Sequence, residues 1–211
     1  MEQLVAHLPA FVAAYSILFL AAASPGPAVA FLLGLSTSQG RGPALIATTG
    51  IACGSLCLNI ATLLGVGLLI AQAAWAMQIL RLIGAAYLLW LAWGAARKAL
   101  NPPTVAPTVA TQQSVAKHFA AGFLLQVTNP KAIVFWLAIA SVGATKGGGA
   151  PVITAFVVGA FCISFLCHAA WAVLLSARPV RAAYQRGRRW VEAALGGFFT
   201  FAAWRLATSE G

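Results

Sequence analysis

The chain has 211 residues, of which 61% are hydrophobic and 8% charged, and its mean hydropathy is +0.89. Soluble domains carry roughly 25% charged residues, so this composition excludes an ordinary soluble protein. The net charge of +10 does not indicate nucleic-acid binding, because basic residues of membrane proteins collect in cytoplasmic loops and near anionic headgroups. We therefore expect an all-α integral membrane protein that contacts the lipid bilayer and no nucleic acid.

The first predicted span covers residues 8–35, which contain no charged residue and exceed the roughly 20 residues needed to cross a bilayer. The residues before it carry Glu2 and no basic side chain, so we expect a mature helix rather than a signal peptide. Ser24-Pro25-Gly26-Pro27 breaks this span, because proline removes a helix hydrogen bond and clashes with the preceding turn. Residues 36–43 are predicted to form a short loop.

The second and third spans are predicted at residues 44–71 and 75–96. Gly50 and Gly54 lie on one helical face and form a small-residue surface that lets another helix approach closely. This surface also leaves room for a homodimer. Asn59 is interpreted as a packing residue that forms an interhelical hydrogen bond, with a position lining a site as the alternative. The aromatic residues of the third span suit helix packing or the membrane interface: Tyr87, Trp90 and Trp93.

A segment rich in proline, threonine and alanine, residues 99–116, is predicted to be a flexible linker. It separates a first half, residues 1–98, from a second half, residues 117–211. Each half contains three predicted spans, so two similar halves would insert with opposite orientations. We expect six transmembrane helices arranged as two inverted three-helix repeats, with helices 1 and 4 broken at proline.

The fourth span contains the second break, Thr128-Asn129-Pro130-Lys131, inside the apolar run of residues 119–142. A lysine near the middle of a span costs about 2.5–3.5 kcal/mol on insertion scales, so it indicates a functional site. Broken helices at corresponding positions of two halves point to a transporter's binding site. The remaining predicted segments are a turn at 146–149, a span at 151–176, a basic loop at 178–189 and a short span at 190–206.

The distribution of basic residues predicts the orientation. Of 13 Lys and Arg residues, nine lie on the side that carries the linker, three lie on the opposite side, and Lys131 lies within the membrane. The positive-inside rule then places the linker in the cytoplasm and both termini outside.

Several motifs occur here in an order that is specific to one family. They are Ser24-Pro25-Gly26-Pro27, Gly50 with Gly54, residues 84–91 (GAAYLLWL), Gly122-Phe123 and Thr128 to Ala132. On these motifs the chain resembles the LysE/RhtB amino-acid exporters over nearly its whole length. The resemblance implies a secondary transporter of the bacterial inner membrane that exports amino acids or related small metabolites. Ala28 stands where many members have asparagine, which would alter specificity if that position contacts the substrate.

The breaks suggest how such a substrate binds. A half-helix N-terminus attracts a carboxylate and freed carbonyls attract an ammonium, and an amino-acid zwitterion carries both groups. The chain has no Asp, and its three Glu residues are predicted at or near span ends, so we expect His168 or Lys131, rather than a carboxylate, to couple transport to its energy source. The expected substrate-binding residues are Ser24, Pro25, Gly26, Pro27, Gln126, Thr128, Asn129, Pro130 and Lys131.

Three other functions are weighed against export. A heavy-metal or cation exporter could use His168 and the cysteines as soft ligands, but no carboxylate is predicted within the membrane, and we interpret the cysteines as small buried hydrophobic residues. A thiol redox carrier needs a cysteine beside the prolines, and neither broken span has one. An intramembrane enzyme needs a catalytic set that the sequence lacks. We therefore expect no enzyme, cofactor or metal. The cysteines are Cys53, Cys57, Cys162 and Cys167.

Overall fold

The structure, a computed structural model, describes residues 2–72, 74–101 and 114–208. Most of the predicted linker and the side chain of Tyr87 lie outside the described residues. Within these ranges the chain is helical and contains no strand. The helices are α1 (Glu2–Ala23), α2 (Pro27–Ser38), α3 (Arg41–Gln72), α4 (Ala74–Leu100), α5 (Val115–Val127), α6 (Pro130–Ser141), α7 (Ala150–Leu174) and α8 (Arg178–Thr208).

Three of the described helices, α1, α3 and α7, are long and apolar enough to cross a bilayer. The pair α5 and α6 meets the same criteria together, as one broken span bent by 58°. These helices account for four of the six predicted spans. The helix α2 is apolar but has only 12 residues, and α8 begins with an arginine-rich segment.

Both helix breaks occur at the predicted prolines. Pro27 is the first residue of α2, and Pro130 is the first residue of α6. Proline suits the first position of a helix, because its fixed backbone angle is helical and its missing N–H has no partner to lose. Both predicted breaks are therefore present in the structure. Each of them starts a new half-helix.

One predicted loop is shorter than expected, and another is part of a helix. The loop at 36–43 reduces to Gln39 and Gly40, because α2 continues to Ser38 and α3 starts at Arg41. Gly40 has a positive φ of 89°, which glycine adopts without steric cost. The prediction of a basic loop at 178–189 is wrong, since these residues form the first part of α8. Arginine is a good helix former, so an arginine-rich segment need not be a loop.

A turn follows α6, near the predicted one at 146–149, and α8 contains an ion pair. Residues 142–147 form turns between α6 and α7, and Gly147 has a positive φ of 74°. Arg188 Nε lies 3.7 Å from Glu192 Oε1, one turn further along α8. Glu192 is buried and lies in the middle of this helix.

Close backbone contact joins α3 to α5. Gly50 lies against the backbone of Phe119, and Gly122 lies against the backbone carbonyl of Ala47. A Cβ at Gly54 would stand 2.9 Å from the carbonyl oxygen of Phe123. Any larger residue would force the two helices apart. The small-residue surface of α3 is thus covered by α5 of the same chain, and a homodimer would have to use another surface.

Candidate functional site at the helix breaks

A narrow cavity of about 40 Å³ lies between the two breaks. Its walls come from α1, α3, α7 and both half-helix starts, so residues distant in sequence meet there. Six of the nine predicted substrate-binding residues line this cavity. They are Ser24, Gly26, Pro27, Gln126, Asn129 and Lys131.

Lys131 connects the two breaks. Its side chain is buried, with 6% of its surface exposed, and Nζ donates to the carbonyl oxygen of Ser24 at 2.9 Å and to Ser24 Oγ at 2.6 Å. Ser24 directly follows α1, and the carbonyls at a helix C-terminus carry partial negative charge that attracts a cation. The ammonium of the second break therefore binds the C-terminal end of the first broken helix. It does not reach a surface, as a lysine that snorkels would.

The starts of α2 and α6 are capped differently. Asn129 caps α6, because its Oδ1 accepts a hydrogen bond from the Lys131 backbone N–H at 3.1 Å. Gly26 occupies the corresponding position of α2 and has no side chain to form such a bond. A Cβ at Gly26 would stand 3.1 Å from Lys131 Nζ. The lysine side chain therefore fills the space beside the uncapped helix start.

The carbonyls freed one turn before the prolines are occupied within the chain. Ser24 Oγ donates to the carbonyl oxygen of Ala21 at 3.0 Å, and the Asn129 N–H donates to the carbonyl oxygen of Gln126 at 3.2 Å. Each of these two carbonyls therefore already accepts one hydrogen bond within the chain. Hydrogen bonds run instead from Lys131 Nζ to Ser24 Oγ and from Ser24 Oγ to Ala21.

The helix α7 supplies part of the cavity wall. The sequence analysis named His168 for coupling but did not place it at the binding site, and it missed Ser164. His168 is buried, and its Nδ1 lies 2.8 Å from the carbonyl oxygen of Ser164. That carbonyl can only accept, so Nδ1 carries a proton and Nε2 of the neutral ring can accept a hydrogen bond. Ser164 Oγ is buried and has no hydrogen-bond partner among the described residues. The spacing of four between Ser164 and His168 was the signal that could have identified Ser164 as well.

Three predicted residues do not line the cavity: Pro25, Thr128 and Pro130. Thr128 is exposed, and its Oγ1 donates to the carbonyl oxygen of Leu124 at 2.7 Å. It caps the end of α5, where its side chain turns back onto its own helix. Pro130 is exposed as well. These residues shape the breaks without facing the cavity.

The cysteines do not form a metal site in the described part of the chain. No group of three or more His, Cys, Asp or Glu side chains comes together there. Cys57 and Cys162 are exposed, and Cys53 and Cys167 are half-buried. The prediction that all four are buried is therefore wrong, because the helix faces that carry them are only partly covered by other helices.

Asn59 also differs from its prediction. The residue is 1% exposed, and neither amide atom has a hydrogen-bond partner among the residues that the structure describes. It forms no interhelical hydrogen bond. Instead it lines a second, smaller cavity of about 20 Å³, which has room for about one water molecule.

An all-helical membrane protein whose half-helix starts meet beside a cavity has the architecture of a secondary transporter. The chain belongs to the LysE family, because the LysE type translocator family matches residues 19–210. This confirms the family that the motifs predicted.

Several relatives cover most of the chain. The threonine efflux protein of Salmonella typhimurium strain LT2 is 31% identical over 185 residues, which are 83% of this chain and 86% of that protein. The threonine efflux protein of Escherichia coli K12 is 30% identical over 183 residues, with the same coverage of 83% and 86%. The chemotactic transduction protein ChpE of Pseudomonas aeruginosa is 33% identical over 144 residues, 68% of this chain and 70% of that protein. No solved structure matches the chain significantly.

Proposed function

We propose that this protein is a secondary transporter of the bacterial inner membrane that exports an amino acid or a related small metabolite. The substrate binds between the helix breaks, where the narrow cavity must widen to admit it. The observation that carries this proposal is the contact of Lys131 Nζ with Ser24 beside that cavity. Because two similar relatives are named threonine efflux proteins, L-threonine is the first substrate to test.

The charge of Lys131 explains why the cavity suits a carboxylate. An ammonium has three N–H donors, and two of them contact Ser24. None of the described carboxylates lies within ion-pair distance of Nζ, and burying a charge without a counter-charge is costly. A substrate carboxylate would accept the third hydrogen bond and neutralise the lysine.

Groups on α7 can bind the ammonium of a zwitterion. Nε2 of neutral His168 can accept a hydrogen bond from an ammonium, and Ser164 Oγ has no other partner among the described residues. Both residues line the same cavity as Lys131. The cavity therefore offers a cation for the carboxylate and neutral acceptors for the ammonium. His168 and Lys131 are also the groups that we propose for coupling to a proton or potential gradient.

We further propose that the two halves, residues 1–98 and 117–211, are inverted repeats joined by a cytoplasmic linker at 99–116. The helix pairings support this arrangement. When α1 to α4 are matched in order with α5 to α8, the packing of α3 on α5 corresponds to that of α7 on α1. Likewise, α3 on α6 corresponds to α7 on α2. Alternating access would then rock one half against the other around the cavity.

The proposed orientation has both termini outside the cell. His7 Nε2 lies 3.3 Å from the carbonyl oxygen of Lys146, so the start of α1 and the turn before α7 share one end of the molecule, as this orientation requires. A cysteine introduced at Thr108, outside the described residues, tests it in a cysteine-free background. It should not react with an impermeant thiol reagent added to intact cells. Reaction there would reverse the orientation.

Export is tested in cells that overexpress the protein and are fed dipeptides, which raise internal amino-acid concentrations. We expect one or a few amino acids, threonine first, to rise outside wild-type cells and not outside cells expressing Lys131→Met. Equal release by both strains at equal protein levels would contradict the proposed site. No release of any amino acid by either strain would contradict the proposed activity.

A further inference from the structure

A groove lies between α4 and α8 on the surface of the protein. Its volume is about 520 Å³, compared with about 40 Å³ for the cavity between the helix breaks. Buried alanine and glycine residues form its floor, and larger or exposed side chains form its walls. The residues that mark its walls and ends are Leu89, Trp93, Leu100, Ala193, Gly197 and Thr200.

The lining of this groove is almost entirely apolar. Thr200 is the lining residue that carries a hydroxyl, and its Oγ1 donates to the carbonyl oxygen of Gly196 at 2.9 Å, within α8. Trp93 and Leu100 are both more than half exposed, so the groove opens to its surroundings along an apolar wall. Such a groove suits an acyl chain better than a polar solute.

The length of the groove matches the thickness of one lipid leaflet. Leu89 and Leu100 are the first and last lining residues on α4. At 1.5 Å per residue, the distance between them along the helix is about 16 Å. The hydrocarbon core of a bilayer is about 30 Å thick, so one leaflet contributes about 15 Å. An acyl chain in the groove would therefore extend from the headgroup level to the middle of the bilayer.

The two helices that form the groove are antiparallel. Gly196 of α8 lies beside the backbone of Ala92 and Ala96 of α4. Ala203, two turns further along α8, shares a core cluster with Leu88, one turn earlier on α4. The first turns of α8 therefore lie beside the last turns of α4.

Three exposed basic residues stand at this end of the groove. Arg97 and Lys98 lie in the last turn of α4. Arg189 lies one turn before Ala193, on the face of α8 that lines the groove. The Cζ atom of Arg97 is 4.9 Å from the centre of the Trp93 ring, so the guanidinium packs against the groove wall. A phosphate at this end would meet positive charge from both helices.

Tryptophans place the same end at the membrane interface. Trp93 and Trp190 are 59% and 76% exposed, and tryptophan collects where the apolar core meets the headgroups. The carboxylate of Glu192 does not neutralise the basic residues, because it is buried and pairs with Arg188. In the proposed orientation this interface is the cytoplasmic one, and anionic lipids are concentrated in that leaflet.

We propose that the groove between α4 and α8 binds one acyl chain of an anionic phospholipid, and that Arg97, Lys98 and Arg189 bind its phosphate. Arginine suits this role because its N–H groups can bind a phosphate in pairs. A second copy of the chain suits the groove less well, since a twofold dimer in a membrane would bring the same basic ends together. The lipid contacts both helices, and α8 is the main packing partner of α4, so it should stabilise the pair.

Lipid binding is tested by native mass spectrometry of the purified protein in detergent. The probes are a phosphatidylglycerol and a phosphatidylcholine with the same acyl chains, which differ in headgroup charge. One phosphatidylglycerol per chain should bind at concentrations where phosphatidylcholine does not, and it should raise the melting temperature, because a ligand of the folded state stabilises it. Equal binding of the two lipids would overturn the proposal.

The phosphate contacts are tested with Arg97→Gln and Arg189→Gln. Each should weaken binding of phosphatidylglycerol about fivefold, which is the contribution of one basic residue near an anionic surface. Lys117→Gln, at an exposed lysine near the start of α5, is the matched control and should bind like the wild type. Equal affinities in all three variants would show that the lipid responds to overall charge and that the site is wrong.

The acyl-chain site is tested with Gly197→Leu. A Cβ at Gly197 meets no atom within 4 Å, so leucine can enter the groove and occupy the space of the acyl chain. Gly94→Leu is the matched control, because a Cβ there also meets no atom within 4 Å and Gly94 does not line the groove. Phosphatidylglycerol binding should be lost in the first variant and kept in the second. Binding that persists in both would mean that no acyl chain occupies the groove.

Two further measurements distinguish the lipid from other occupants. Glycerol 3-phosphate, which has the phosphate without acyl chains, should not displace phosphatidylglycerol at the same concentration, and displacement would assign the site to phosphate alone. Ala193→Cys should not cross-link two copies in membranes, and a cross-link there would show that a second copy fills the groove. Either result would overturn the proposal, and neither depends on whether the protein exports an amino acid.

Discussion

The two helix breaks have similar sequences but are stabilised in different ways. At the second break, Asn129 caps α6 and Thr128 bonds back to α5, so its contacts come from its own two half-helices. At the first break, Gly26 supplies no side-chain cap, and Ser24, besides bonding back to Ala21, accepts two hydrogen bonds from Lys131 of the other half. The second break is therefore complete in itself, whereas the first depends on a contact that can be released.

This difference assigns unequal roles to the two breaks. A break that satisfies its own polar groups can keep its shape while the surrounding helices move. A break whose hydrogen bonds come from the other half changes shape when that contact is released. We expect the end of α1 and the start of α2 to rearrange when a substrate carboxylate competes for Lys131, and the start of α6 to remain fixed.

The largest effect is expected for Lys131→Met, which removes both hydrogen bonds that the first break receives from the other half. Export per molecule in membrane vesicles should fall about 10- to 100-fold, the range for hydrogen bonds of a charged group. Lys146→Met, in the turn after α6, is the matched control and should export normally. A Lys131→Met protein that inserts and exports like the wild type would mean that the lysine only holds the helices together.

Replacing a proline should affect export differently at the two breaks. Pro25→Ala and Pro130→Ala both allow the chain to wind further into a helix, but α6 keeps its Asn129 cap and α2 has no equivalent. We expect export to fall about fivefold or more for Pro25→Ala, corresponding to about 1 kcal/mol, and less for Pro130→Ala. Both variants should keep their thermal stability. If both export normally, the breaks are packing features and the substrate site lies elsewhere.

A smaller effect is expected when the cap itself is changed. Asn129→Ala removes the hydrogen bond to the Lys131 N–H, which should cost about 1 kcal/mol of stability and lower the melting temperature by about 2–4 °C. Gly26→Ala places a methyl group against the flexible end of Lys131, so it should disturb export more than stability. The comparison would fail if Gly26→Ala were the more destabilising of the two in a thermal scan of the purified proteins.

The smallest effect on transport is expected for Glu192→Gln, which lies at neither break. The change removes one charge of a buried pair, since the side chains of Arg188 and Glu192 are 13% and 5% exposed, so the melting temperature should fall more than export does. Proton-driven uptake into inside-out vesicles should persist. Its loss at normal protein levels would assign the coupling proton to this carboxylate.

Much of the local structure could be predicted from the sequence. Proline and glycine mark both breaks, because their backbone restrictions act wherever they occur. The spacing of Gly50 and Gly54 predicted a close helix contact. Which helix makes that contact could not be predicted, since a small-residue surface does not specify its partner.

The wrong predictions concern features that tertiary contacts determine. The arginine-rich start of α8 resembled a loop by composition, although arginine also favours helix. Asn59 seemed to need a hydrogen bond, and only the three-dimensional packing shows that its amide faces a cavity. The contact between Lys131 and Ser24 joins residues 107 positions apart, a distance over which no local rule operates.

The close contact of α3 with α5 has a consequence for how the protein is made. Gly54 and Phe123 touch in the finished molecule but lie about 70 positions apart in the chain. At about 5–20 residues per second, the ribosome makes Phe123 roughly 4–14 s after Gly54. During that interval the groove along Gly50 and Gly54 has no α5 to fill it, and lipid tails must occupy it instead. A ribosome stalled after α4 would therefore hold a nascent chain whose first half is inserted but cannot finish folding until later codons are read.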